Sequence, residues 1–255
     1  MKKLTRFSHV MLSLLLAGTA AFARQKIAGT PASQKTSPSA APIAAQITPA
    51  TSPIELARAA LTAQGGDKFR NLKSMIVEGS AEMFAPNSTQ SLTGRFGIAT
   101  AGDRIRIEIQ TQLFGLKQVY DGVTNYSSMR GMELPPASKF GLQLLTKFER
   151  PGYTVSVLPD KKKFRAFRVV DAEGNTTDFY VEPATGRVMM YDIPFNGLVF
   201  SVEHKSFKDF EGVLVPVSFV QKLDTPQGAY FVELKVKSVK LNQDLPADTF
   251  AIPAQ

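Results

Sequence analysis

Hydrophobic and polar residues alternate strictly from Arg104 to Ile109. Ile105, Ile107 and Ile109 fall on one side of an extended chain, and Arg104, Arg106 and Glu108 on the other. Less regular versions of the same period run through 75–84, 91–100, 116–121, 124–129, 153–158, 163–171, 176–182, 187–193, 197–207, 213–223 and 228–240. Turn residues separate many of them, among them Ala101-Gly102-Asp103, Asp121-Gly122, Pro183-Ala184-Thr185-Gly186, Glu211-Gly212 and Pro226-Gln227-Gly228. Connections this short predict an antiparallel meander of about ten to eleven strands, in sequence order.

Two stretches follow a helical period instead. Ser52-Pro53-Ile54-Glu55 reads as a capping box with proline at the first helical position. Ile54, Ala57 and Leu61 then share one face, and Gly65-Gly66 ends the helix. A short second turn through Phe69 and Leu72 is predicted after Asp67. In mid-chain, Phe140, Leu144, Leu145 and Phe148 repeat at helical spacing between Pro135-Pro136 and Pro151-Gly152, which predicts an amphipathic helix over 137–150. A long antiparallel sheet with helices against one side satisfies all these apolar faces together. No domain boundary is visible after residue 54, so residues 54–255 read as one domain.

The N-terminal region reads differently. Residues 1–23 combine Lys2, Lys3 and Arg6 with an apolar run from Val10 to Ala17 and the small-x-small ending Ala21-Phe22-Ala23. These are the three parts of a secretory signal peptide cut after Ala23. The apolar run is well short of the roughly 20 residues that span a bilayer. Residues 24–53 hold 20 Ala, Pro, Ser or Thr among 30 and no aromatic residue, the composition of a flexible linker. Export of this kind points to a bacterial periplasm.

Composition then narrows the chemistry. The 255 residues contain no Cys and no Trp, which excludes disulfide scaffolds, Cys-ligated metals and thiol nucleophiles, and leaves no site for acylation. The net charge is +8, and removing Lys2, Lys3 and Arg6 leaves 27 basic against 22 acidic residues, or +5. That balance suits anionic lipid headgroups, and export argues against a nucleic-acid partner. Only His9 and His204 could serve as imidazoles. His204 alternates with Phe200 and Val202, so the pattern puts it on an apolar side of a strand or at its rim. No G-x-S-x-G, S-x-x-K, P-loop or G-x-G-x-x-G motif is present. Glu78, Glu82, Asp178, Asp192 and Glu203 lie on predicted strands, where carboxylates ordinarily occupy the wet face. No metal or cofactor is expected. Lys161, Lys162, Lys163 and Arg165 form the densest basic patch, starting at the turn Pro159-Asp160. It reads either as a solvated hairpin or as a docking point for an anionic membrane or an acidic partner. Eighteen Phe residues fit an ordinary core as well as the wall of a cavity.

Several segments, in order, resemble the LolA/LolB-like superfamily of periplasmic outer-membrane lipoprotein-sorting and carrier proteins. They begin with Ala59-Ala60-Leu61-Thr62-Ala63-Gln64-Gly65-Gly66, leading to Val77-Glu78-Gly79. Val119-Tyr120-Asp121-Gly122 follows the strand Arg104 to Glu108 like the family's "y-D-G" hairpin. Tyr180-Val181-Glu182-Pro183-Ala184-Thr185-Gly186 is similar to its "f-D-p-x-T-G" turn, with Glu182 where aspartate is more usual. Phe207 to Pro216, and Val239-Lys240-Leu241-Asn242 with Leu245 to Pro253, resemble its closing segments. The resemblance implies a curved, unclosed half-barrel sheet wrapped over two or three helices, with a hydrophobic cavity that takes the acyl chains of lipoproteins or lipids.

On that resemblance the candidate cavity residues are Ile105, Ile107, Ile109, Phe140, Leu144, Leu145 and Phe148. Arg95, Arg104, Arg106, Lys161, Lys162, Lys163 and Arg165 are candidates for cavity-mouth or partner contacts. The implied function is non-enzymatic transport by a monomer that touches a membrane or a membrane-bound partner transiently. The alternative is a periplasmic regulatory or structural module of the same fold that binds a protein partner.

Overall fold

The computed structural model of the protein describes residues 47–129 and 134–253. The signal peptide read over 1–23, and the 24–53 linker as far as residue 46, lie outside the described residues. Described contacts reach back past Ile54, since Ile47 is buried in the core and the Arg165 guanidinium donates to the carbonyls of Thr48 and Thr51.

The first helix, α1 (Pro53–Gln64), forms where its capping signal stands. Glu55 N–H donates to the Ser52 hydroxyl, and the Glu55 carboxylate accepts from Ser52 N–H at 2.8 Å. Leu56, Ala57, Ala60 and Leu61 are buried along one side. At its end Gly65 adopts φ 127°, a conformation closed to other residues, and a Cβ there would meet the Gly212 carbonyl at 2.7 Å. One further turn, α2 (Asp67–Arg70), buries Phe69.

All twelve candidate extended segments are strands, one or two more than the expected ten to eleven: β1 (Met75–Phe84), β2 (Ser91–Ala101), β3 (Arg104–Thr111), β4 (Gly115–Tyr120), β5 (Asn125–Ser127), β6 (Thr154–Val157), β7 (Arg165–Val170), β8 (Thr176–Val181), β9 (Val188–Phe195), β10 (Leu198–Phe210), β11 (Val213–Thr225) and β12 (Gly228–Leu241). Every pairing is antiparallel. The order corrects the simple meander. It runs β5-β4-β3-β2-β1-β12-β11-β10-β9-β8-β7-β6, so two meanders join where β1 pairs with β12. The sheet is open, and its free edges are β5 and β6.

That order fixes the role of the middle of the chain. The connection from β5 to β6 links the two edges of the sheet, and in its described part it lies against the face that α1 also covers, here called the inner face. The expected α-helix over 137–150 is not formed. Two short 3-10 turns, Ala137–Lys139 and Leu142–Thr146, stand there instead, separated by Gly141 at φ 81°. A left-handed residue interrupts the i→i−4 ladder, and the segment buries Leu142 as well as Phe140, Leu144, Leu145 and Phe148, more than one helical stripe. The backbone here answers to what it covers: Gly141 N–H donates to the Tyr191 hydroxyl, and Gln118 donates to the Pro135 carbonyl, each at 3.0 Å.

Candidate functional site

Strand alternation puts matching residues in rows across the inner face. One row, Tyr191–Val202–Gln221–Val232–Met83–Leu92, crosses β9, β10, β11, β12, β1 and β2 by direct pairing and is polar only at Gln221 and the Tyr191 hydroxyl. Its neighbour runs His204–Phe219–Leu234–Ala81–Gly94. A third, Val239–Val77–Ile98–Ile107–Gln118, continues to β4. Gly79 has no side chain, and a Cβ there would run into the Lys235 carbonyl and the Phe96 ring. Phe96 in turn meets Phe219 edge-on at 5.9 Å.

Between these rows and the covering segment lie two adjoining recesses. The first has about 730 Å³ of empty space, open solvent at its mouth included, between Phe69, Val77, Ile98, Ile105, Tyr191, His204, Phe219 and the covering residues Phe140 to Gln143. The second has about 1020 Å³ on the same measure, toward the end of the sheet where Met83, Phe84, Leu92, Phe114, Tyr230 and Phe231 stand. Ile107, Phe140 and Gln221 border both. Their predominantly apolar lining is of the kind that holds small apolar ligands.

No Lys, Arg, Asp or Glu is among the described residues lining either recess. The polar groups there are amides, the Thr100 hydroxyl, the Tyr191 and Tyr230 phenols and one imidazole. Most are already engaged. Gln64 donates to the Leu214 carbonyl, and Gln143 donates to the Thr100 hydroxyl at 3.0 Å. Burial pushes the Tyr191 phenol well above its ordinary range. His204 is buried with Nδ1 2.8 Å from the Val188 carbonyl oxygen, and burial pulls its pKa down to about 4. It is packed, as the alternation suggested, with Tyr191, Phe207 and Phe219 rings around it, and it also borders the first recess.

The candidates from the sequence divide by place. Ile105 and Ile107 line the first recess, Ile107 and Ile109 the second, and Phe140 both. Leu144, Leu145 and Phe148 are buried but line neither, and the turn carrying the two leucines packs against α1. Arg104 and Arg106 alternate with the isoleucines and stand on the outer face. There Arg104 lies 4.7 Å over the Phe250 ring, and Arg106 donates to the Thr249 carbonyl at 3.0 Å and pairs with Glu108. Arg95 is exposed on β2 between Ser80 and Gln110, on the same outer face. The basic hairpin between β6 and β7 also stays clear of the recess lining. Lys161 reaches Asp192 at 3.3 Å and Arg165 pairs with Asp160 at 2.9 Å. Lys163 lies over Phe164, and Lys162 takes φ 57° at the turn.

The strand carboxylates lie outside the recess as well. Asp178 and Asp192 face each other across β8 and β9, with Arg168 on Asp178 at 2.6 and 2.8 Å. Among the described residues no group of three or more His, Asp or Glu is placed to hold a metal. Gln221 and the lining role of His204 escaped the sequence reading. A polar residue on an apolar face was the available signal, and by itself that does not say whether a partner stands opposite.

The sequence matches no protein-family profile and no curated protein. Solved structures do match. A LolA superfamily protein from Nitrosomonas europaea aligns with a TM-score of 0.54 at 14% identity, over 80% of this chain and 99% of that one. A DUF1329 family protein from Desulfovibrio piger aligns with a TM-score of 0.50 at 10% identity, over 78% and 98%. A domain assigned to outer-membrane lipoprotein sorting, from Vibrio parahaemolyticus, gives 0.48 at 14%, over 76% and 97%. At these identities the likeness is one of fold, and the chain shares the fold of the LolA superfamily protein over most of its described length.

Proposed function

We propose that this protein is a non-enzymatic carrier that binds the acyl chains of lipoproteins or lipids in the recess beneath the covering segment. The observation that supports this most directly is the two neighbouring apolar recesses, which share Ile107, Phe140 and Gln221 as lining and are lined by no charged side chain among the described residues. An acyl chain gains about 0.8 kcal/mol per methylene taken out of water, so such a space is a strong reservoir for one. Handing the chain on then needs a membrane or membrane-bound partner of comparable affinity. The exposed Lys162 and Lys163 on the β6–β7 hairpin suit a transient contact of that kind. The export signal read in residues 1–23 supports a periplasmic site of action, with the chain acting as a monomer.

The test is native and denaturing mass spectrometry, with lipid extraction, on protein purified gently from a bacterial periplasm. A lipid or acylated protein near one per chain is the expected result. Absence of any bound species, together with no uptake of a fluorescent acyl probe by the lipid-free protein, overturns the reading. The domain is then a same-fold module that binds a protein partner.

A further inference from the structure

The recess has a polar point in its wall that the fold does not use. Gln221 is the polar break in an otherwise apolar row of β-strand side chains, it borders both recesses, and its carboxamide takes no partner among the described residues. His204 sits diagonally from it: His204 opposes Phe219 and Gln221 opposes Val202 on paired strands, so the two side chains share a face roughly 7 Å apart. The Val188 carbonyl can only accept, so His204 carries its proton on Nδ1 and leaves Nε2 as a bare acceptor. One acceptor thus stands beside an amide that can both donate and accept, in a space where the described lining residues offer an ionised head no counter-charge.

We propose that His204 and Gln221 form a polar anchor that holds the uncharged head of a single-chain amphiphile, one hydrogen-bond donor beside one acceptor, with the chain running into the larger recess. The hydroxyl and ester of a monoacylglycerol, or the N–H and C=O of an N-acyl amide, present that pair. The inference rests on the acyl-carrier reading above and specifies its ligand.

The test is displacement of a pyrene-labelled alkyl ester from the full-length mature protein by four C16 ligands below their micellar range. Monopalmitoylglycerol and N-palmitoylglycinamide carry the donor and acceptor, methyl palmitate lacks the donor, and hexadecyl sulfate is charged. The first two are expected to bind at least tenfold more tightly than the last two, and the tighter of them identifies free lipid or acylated peptide as the source of the head. Gln221→Leu and His204→Phe are expected to shrink that gap to within about threefold while leaving methyl palmitate unchanged. Should His204→Phe fail to fold, Gln221→Leu decides alone. Equal binding of all four ligands, or a gap that survives Gln221→Leu, overturns the anchor and leaves the carrier reading standing. Failure of the labelled ester itself to bind overturns both.

Discussion

Burial keeps the His204 imidazole neutral, with its pKa brought down from 6.5 to about 4, while its bond to the Val188 carbonyl works weakly the other way. The consequence for stability has a definite sign. A group whose folded pKa is depressed takes up its proton in the unfolded chain first, so stability is lost as pH falls from the unfolded value toward the folded one. Between pH 7 and pH 5 that loss amounts to about 2 kcal/mol from this one ring. The carboxylates act lower. Although burial raises Asp103, Lys147 and Arg150 hold it below the ordinary range overall; hydrogen bonds from Thr124 and Val123 lower Asp121, and a hydrogen bond from Arg58 lowers Glu149. Their contributions disappear only as pH drops through the carboxylate range. Urea unfolding at pH 7 and pH 5 therefore isolates His204: the native protein should lose stability over that interval, and His204→Phe should lose almost none. Equal losses in the two proteins would show that another group titrates.

At the scale of elements, the covering segment is held at its rims by charge and beneath by apolar contact. Lys139 is buried against Asp171 at the β7–β8 turn, with Glu173 at 3.7 Å, and burial pulls its ammonium pKa down. Lys147 and Arg150 both reach Asp103 on the β2–β3 turn, at 3.1 and 3.0 Å. Glu149 joins Arg58 of α1 and Arg70 of α2. The two partners of the buried pair are not equivalent. Asp171 also accepts from the backbone N–H groups of Glu173 and Asn175 and from the Asn175 side chain, so it stays satisfied without Lys139. Lys139 has no such set. Asp171→Asn is expected to cost up to about 3 kcal/mol, because it leaves the buried cation only the longer, solvent-exposed pair with Glu173, and Lys139→Met less than half of that. Denaturant midpoints check it, and the reverse order would refute the argument.

This element was also the least legible in the sequence. Its apolar spacing located the buried side chains, yet helical spacing is what any segment laid along a curved apolar surface can show by chance. Gly141, Pro135 and Pro136 bear on the backbone more directly. The strands and α1 were legible for the opposite reason, because a period of two, turn residues and a capping box act locally.

For the whole molecule, alternation assigned each strand residue to a face but not each strand to its neighbours. Nothing in Met75–Phe84 or Gly228–Leu241 marks them as partners, so the β1–β12 pairing and the edge-to-edge crossover emerge only from the closed set of contacts. The candidate site was legible to the same degree: Ile105, Ile107 and Ile109 were placed on one face, while the adjoining recesses depend on strands far apart in sequence. Whether one ligand spans both recesses can be measured. If one chain occupies both recesses, affinity in an alkyl ester series should rise about fourfold per added methylene, the equivalent of 0.8 kcal/mol, and level off once the space is full. Ile107 borders both recesses, so Ile107→Phe narrows their junction. The larger ring should cost about 1–3 kcal/mol in stability through overpacking and leave short esters within about threefold of their native affinity. It should also move the levelling point several carbons toward shorter chains. A levelling point unchanged by Ile107→Phe would mean that the chain never passes the junction, and that the two recesses bind, if they bind at all, as separate sites.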